Sequence, residues 1–345
     1  MTSNFAVAAP MLGAATSRAA DPAEGKSAAM SIYTVAAVCG TSMLLFGYNT
    51  AVISGSLLPI AHEWPLDTLH KEGLAGTTVL FAALAALIAP FISSSLGRKP
   101  VLLLASLFYM LGAVLAASSP NYPCLFASRS LLGLGCGLTS STAPMFLSEC
   151  TLPTQRGWLL ALSTDFACVG GQVVAGVTTA LFVTFVDQPV GNWRWPMGLA
   201  ALPAVCVLLC VPCLPESPRF LVQHGRHDTA HATLRALHGE AAAASEMASI
   251  EGAVRAEAEA RELAGGPDGG FAALWYSRGD AAAPLRRACA VGLVMMLAQH
   301  LAAVNIVVYY VPSIVSSSAG SADAIDPKVS TWVGALCNVV QFCGW

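Results

Sequence analysis

Asp165 and Gln172 stand seven residues apart in a mainly apolar stretch. That spacing is two helical turns, so a carboxylate and an amide share one face. A carboxylate at lipid depth is costly and defaults to a functional role, here as a hydrogen-bond partner for a solute or as a proton site. The plain alternative is a pairing with a neighbouring helix. The amides Gln172, Gln299, Asn305 and Asn338, with the imidazole of His300, also fall inside apolar runs. A primary amide presents a donor and an acceptor on one planar group, which complements a hydroxyl. The set therefore suits a solute rich in hydroxyls, with interhelical hydrogen bonds as the structural alternative for each member.

Three other patterns carry chemistry in other settings. Cys210-Val-Pro-Cys213 has the spacing of a zinc or redox pair, but no second pair accompanies it and it lies in an apolar span. Gly133-x-Gly135-x-Gly137 resembles a nucleotide loop, yet it too sits within an apolar span, where small residues let helices approach closely. His224, His227 and His231 have helix-compatible spacing for a metal, and a solvated helix face is the simpler reading. No metal site, cofactor site or clustered acid–base set is expected, which argues against a membrane enzyme. A net charge of −3 gives no reason to expect a nucleic-acid partner. The eleven scattered cysteines read as small residues of a membrane core rather than a disulfide framework.

The elements that position these groups are membrane helices. Apolar residues make up 55% of the 345-residue chain and charged residues 11%, with a mean hydropathy of +0.64. Crossing a bilayer core takes roughly 20 mainly apolar residues, and such runs are predicted at 31–57, 73–95, 101–119, 125–147, 158–184, 195–214, 286–316 and 329–345. The chain is thus expected to be an all-α polytopic protein of the lipid bilayer. Arg98, Lys99 and Arg156, and the arginines between spans six and seven, mark the cytoplasmic side. The N-terminus is then cytoplasmic, and residues 1–29 read as a disordered tail. Residues 215–285 read as a cytoplasmic linker with helices at 228–238 and 245–263 and a glycine-rich break at 265–270.

Four landmarks then appear in order: Gly47-Tyr48-Asn49-Thr50-Ala51-Val52-Ile53-Ser54-Gly55; Arg129 with the three glycines, Pro144, Glu149, Arg156 and Gly157; Asn192-Trp193-Arg194-Trp195 leading to Pro215-Glu216-Ser217-Pro218-Arg219; and Gln299-His300-x4-Asn305-x3-Tyr309-Tyr310. In these the sequence resembles the sugar porter branch of the major facilitator superfamily over almost all of 31–345, and Gly170-Gly171-Gln172 is most like the inositol and polyol carriers. The resemblance implies a complete N-terminal six-helix bundle over 30–214, the linker, and the start of a C-terminal bundle over 286–345. It implies a hexose, inositol or polyol substrate, facilitative or proton-coupled, and substrate contacts at Gln172, Gln299, Asn305 and Asn338. It also implies ion pairs among the helix ends at Glu149, Arg156, Glu216 and Arg219, with Arg98 beside them, and gating at the outer side by Tyr309 and Tyr310. A plasma membrane location is expected.

The sequence departs from the pattern at several points. Proton-coupled members usually carry Asp where this chain has Asn49, and an amide cannot exchange a proton near neutral pH. Asp165 stands where the family usually has Gln or Asn, so it is a candidate for a relocated proton site. His300 replaces a Gln and can titrate near neutral pH. Pro90 and Ser94 replace the family's Gly and Asp, and Pro153 lies one place late. The chain is expected to be truncated in its eighth span, with a degenerate copy or a natural short form as alternatives. A non-transporting sugar sensor on the same fold is the rival function.

Overall fold

The computed structural model describes residues 31–186, 191–263, 283–301, 310–311, 314–315 and 327–343. All regular structure among them is helical. The tail expected over 1–29 and the glycine break at 265–270 lie outside the described residues.

Helix α1 spans Ile32–Glu63, opened by Ser31, whose hydroxyl accepts from the Tyr33 backbone N–H at 3.3 Å. It runs past the predicted end because polar His62 and Glu63 continue it beyond the apolar span. Helix α2 spans Thr68–Leu96 and α3 spans Arg98–Ala117, joined by Gly97 at a φ of 98° that favours glycine. Helix α3 starts before the predicted residue 101. Pro100 sits in its first turn, where a missing N–H costs nothing, and the carboxylate of Glu216 accepts from the backbone N–H groups of Arg98 and Lys99 at 3.0 and 3.3 Å. Helix α4 spans Tyr122–Cys150 and is capped by the Asn121 side-chain Oδ1, which accepts from Cys124 N at 3.1 Å. Helix α5 spans Pro153–Phe185 with a π turn at Leu162–Phe166, and α6 spans Arg194–Cys213 with a tight last turn at Val211–Cys213.

Short helices follow at α7 (Pro218–Gln223), α8 (His227–His238) and α9 (Glu240–Leu263), then α10 (Ala283–Leu301) and α11 (Pro327–Cys343). Five of these helices (α1, α2, α3, α5 and α6) are long and apolar enough to cross a membrane. Helix α4 is more polar because it buries Ser128, Arg129, Thr139 and Thr142 inside the bundle. The apolar residues Leu80, Leu84, Leu87 and Phe91 of α2 stay exposed, as a lipid-facing surface requires.

Glycines set the packing. A Cβ on Gly133 would lie 2.6 Å from the Thr78 carbonyl oxygen, and one on Gly137 would lie 2.1 Å from that of Ala82. The glycine run of α4 is therefore a close-approach surface for α2, with Gly135 turned to Ala105 of α3. The same device joins α1 to α5, where Cβ atoms on Gly47 and Gly171 would fall 1.8 and 2.1 Å from the carbonyls of Cys168 and Leu44. On the polar side, α7, α8 and α9 form a small separate core of Leu221, Val222, Ala230, Leu234, Ala243 and Met247. His238, at the end of α8, meets the Cys150 carbonyl at the end of α4 at 2.8 Å and ties that core to the bundle.

Candidate functional site

The predicted site residues separate into a midplane group and a rim group. At midplane, α5 lies between α1 and α11. Asn338 of α11 is buried and its Nδ2 donates to the Gln172 backbone carbonyl at 3.3 Å. Gln172 is buried as well, and its side-chain Oε1 has no hydrogen-bond partner among the described residues. A buried acceptor in that condition costs on the order of 1–3 kcal/mol unless a partner arrives. On α1, Asn49 donates from Nδ2 to Leu45 O at 2.9 Å, while its Oδ1 is also buried without a partner. Arg129 of α4 reaches the Asn49 backbone carbonyl at 3.1 Å. Two amide oxygens thus stand free for a donor at the centre of the protein.

Asp165 lies within the π turn of α5 and is exposed. Beside it, the rings of Phe166 and Phe342 of α11 are 4.4 Å apart. Gln299 and His300 fall on α10, but their side chains lie outside the described residues, as do Asn305 and Tyr309 entirely. Tyr310 is described as helical and half-buried.

At the rim, Arg98, Glu149 and Glu216 come together at the ends of α3, α4 and α6. Arg98 binds Glu149 through both ends of its guanidinium, Nε to Oε2 at 2.8 Å and Nη2 to Oε1 at 2.7 Å. The pair is buried, with side-chain exposures of 6% and 8%. Ser217 donates to the same carboxylate at 2.5 Å. Glu216 is spent on the α3 N-terminus, where a carboxylate also complements the helix dipole. Lys99 closes the other end by donating to the carbonyls of Pro212 and Leu214 at 2.6 and 2.9 Å.

Arg156 points elsewhere, donating to Thr151 O at 3.3 Å, and Arg219 pairs with Glu257 on α9. All these pairs fall within α1–α9. His224 and His227 have separate partners, the Phe220 carbonyl and Glu251, so the histidines of that segment do not converge.

One cluster escaped sequence reasoning. At the opposite end of the bundle, Glu63 accepts from Trp193 Nε1 at 2.7 Å and from Arg194 at 2.9 and 3.1 Å. Arg194 also donates to Ser119 O at 3.1 Å and lies 4.3 Å from the Trp193 ring centroid. This joins the ends of α1, α3 and α6. The signal available was an acidic residue ending one span and an arginine opening another on the same side.

Comparison with solved structures places this architecture. The fold is that of the major facilitator superfamily, a class of helical membrane transporters. The proton:xylose symporter XylE with bound 6-bromo-6-deoxy-D-glucose superposes with a TM-score of 0.74 at 21% identity, covering 90% of this chain and 67% of that one. A partially occluded inward-open form of XylE from E. coli gives 0.72 at 20% identity, covering 91% and 71%.

Within that class, residues 32–345 match the family described as "Sugar (and other) transporter", and the chain belongs to it. Among curated relatives, the proton myo-inositol cotransporter of Homo sapiens is 32% identical over 311 residues, covering 90% of this chain and 46% of the relative. The arabinose-proton symporter of Escherichia coli K12 is 32% identical over 285 residues, covering 83% and 56%. The chain thus spans about half the length of the relatives it matches.

Proposed function

We propose that this protein carries a hexose, inositol or related polyol across a membrane by alternating access, with its N-terminus in the cytoplasm of a plasma membrane protein. The observation that carries the reading is the buried, partnerless Oε1 of Gln172 beside Asn338. A hydroxyl-rich solute supplies the missing donor and can accept from amide N–H in return. The activities of the relatives, inositol and pentose transport, support the same solute class. In this reading Gln172 and Asn338 hold the solute from the α5–α11 seam, and Gln299, His300 and Asn305 are proposed contacts from the second bundle. The rim pair Arg98–Glu149 with Ser217 holds the helix ends of the first bundle in register, so that the bundle moves as one body. Arg156, Arg219, Tyr309 and Tyr310 are assigned to gating around that body.

The test is counterflow of labelled myo-inositol, D-xylose, L-arabinose and D-glucose in proteoliposomes holding the protein. At least one is expected to exchange, and Gln172→Ala should raise its KM about 2- to 13-fold, the value of one ordinary hydrogen bond. Binding of a sugar without exchange would refute transport and leave a sensor.

A further inference from the structure

The carboxylate of Asp165 has no role in the solute site just described. Among the described residues it is the only Asp or Glu deep inside a membrane helix. Glu63 ends α1, Glu72 lies in the second turn of α2, and Glu149 is one residue from the end of α4. Asp165 is twelve residues (165 − 153) from the start of α5 and twenty (185 − 165) from its end.

Its direction follows from helical periodicity of about 100° per residue. Val174, Leu181 and Phe185 form the exposed apolar stripe in the second half of α5, and Trp158, Leu162 and Phe166 are the exposed apolar residues up to the π turn. Val174 is nine residues from Asp165, half a turn out of phase, whereas exposed Trp158 and Leu162 precede it by seven and three residues and share its side, so Asp165 lies on the exposed face of the first half of α5. Beyond the π turn the same phase holds buried Val169, Gln172, Thr179 and Val183. Asp165 therefore sits where the exposed face of the first half of α5 passes into the buried stripe that holds Gln172. It forms no hydrogen bond or ion pair among the described residues.

Two further features mark the position. The π turn Leu162–Phe166 interrupts an otherwise regular helix at this point, and single π turns in helices are frequent at functional sites. The adjacent Phe166 packs on Phe342, so Asp165 borders the seam between the first bundle and α11. The elements packed on this turn are α1, α4, the rest of α5 and, through Phe342, α11. Their ionisable side chains near this depth are the thiols Cys39, Cys136, Cys168 and Cys343. Formal charges on these elements include Arg156, nine residues toward the start of α5, Glu149 with Arg98 at the end of α4, and Arg129 at the level of Asn49, roughly 10 Å farther along α1.

We propose that Asp165 is the proton-binding group of a solute–proton symport, a conclusion that rests on the carrier reading above. The ionised carboxylate needs water, so the seam beside Phe166 and Phe342 stays open while it is charged. Taking up one proton from the side of entry makes it a neutral carboxylic acid, and an apolar seam can close over a neutral group at far lower cost. Reopening on the other side restores water and releases the same proton there. One proton crosses with each solute and no covalent bond changes.

The experiment compares two modes of the reconstituted protein, using whichever of myo-inositol and D-xylose shows counterflow. Counterflow needs no proton gradient. Accumulation driven by an inward gradient of one pH unit does, and one-to-one coupling sets its limit at about tenfold. Asp165→Asn should keep counterflow within about 3-fold of wild type and lose accumulation, while Asp165→Glu keeps both. The wild type should also acidify lightly buffered vesicles when solute flows in, a readout that needs no variant. Accumulation by Asp165→Asn equal to wild type overturns the assignment. So does loss of counterflow together with accumulation, or a wild type that exchanges solute without moving protons. Absence of wild-type counterflow with every sugar tested defeats the carrier reading itself, and the proton site with it.

Discussion

Glu149→Gln removes one charge from the buried rim pair. Both side chains are nearly inaccessible, at 6% and 8%, and the contact is two-pronged at 2.7 and 2.8 Å. Removing one partner of such a pair strands the other charge away from water, which costs about 3–5 kcal/mol. Glutamine still accepts from Ser217, so the lower end applies, about 3 kcal/mol, or roughly 150-fold in the folding equilibrium. The assay is reversible unfolding in mixed detergent micelles.

Two controls fix the cause. Glu257→Gln breaks the Arg219 pair, whose side chains are 35% and 48% exposed. That change should cost under about 1 kcal/mol, because water and salt already screen it. The double variant Arg98→Leu with Glu149→Leu should be no less stable than the single Glu149→Leu, since replacing both ions by apolar groups removes the stranded charge. If Glu149→Gln costs no more than Glu257→Gln, or if the two leucine substitutions are simply additive, the pair is not the clasp described.

Gly171→Ala should destabilise the protein by about 1–3 kcal/mol in the same assay, since its Cβ would meet the Leu44 carbonyl at 2.1 Å and push α1 from α5. Gly157→Ala, with no heavy atom within 4 Å, should be neutral or stabilise by up to about 1 kcal/mol. Glu63→Gln weakens charge-assisted bonds to Arg194 and should cost about 1.5–3 kcal/mol while leaving the KM for solute unchanged, because the cluster joins helix ends away from Gln172.

The membrane helices were legible because lipid imposes long apolar runs, and the glycines of α4 were legible as packing because only small residues let two backbones meet. Gln172 and Asn338 were legible one at a time as costly amides. Their meeting was not, because a hydrogen bond between residues 166 apart depends on how two helices are rotated. The same limit explains the rim. The sequence offered acids and bases at neighbouring helix ends, but Arg98 takes Glu149 because Glu216 is drawn to the bare N–H groups that open α3. The π turn had no signal at all. Leu162-Ser-Thr-Asp-Phe166 holds no glycine or proline, and nothing in those residue types separates it from ordinary helix.

The two sides of α5 show why the midplane residues lie where they do. Toward α1 the contact is backbone on backbone, with Cβ positions at Gly47 and Gly171 already filled by carbonyl groups. Such a surface cannot slide or separate without losing dense packing along its length. Toward α11, apart from the close approach of Gly176 to Ala335, the contact is made by side chains: the Phe166–Phe342 ring contact, the Asn338 amide on a carbonyl, and Trp332 Nε1 donating to Thr184 Oγ1 at 3.0 Å. These are separate bonds that can break and re-form singly, and polar ones can exchange partners with a solute. A helix with one fixed face and one exchangeable face is suited to carry both Gln172 and Asp165. The first face anchors them to the bundle, and the second presents them to whatever enters the seam.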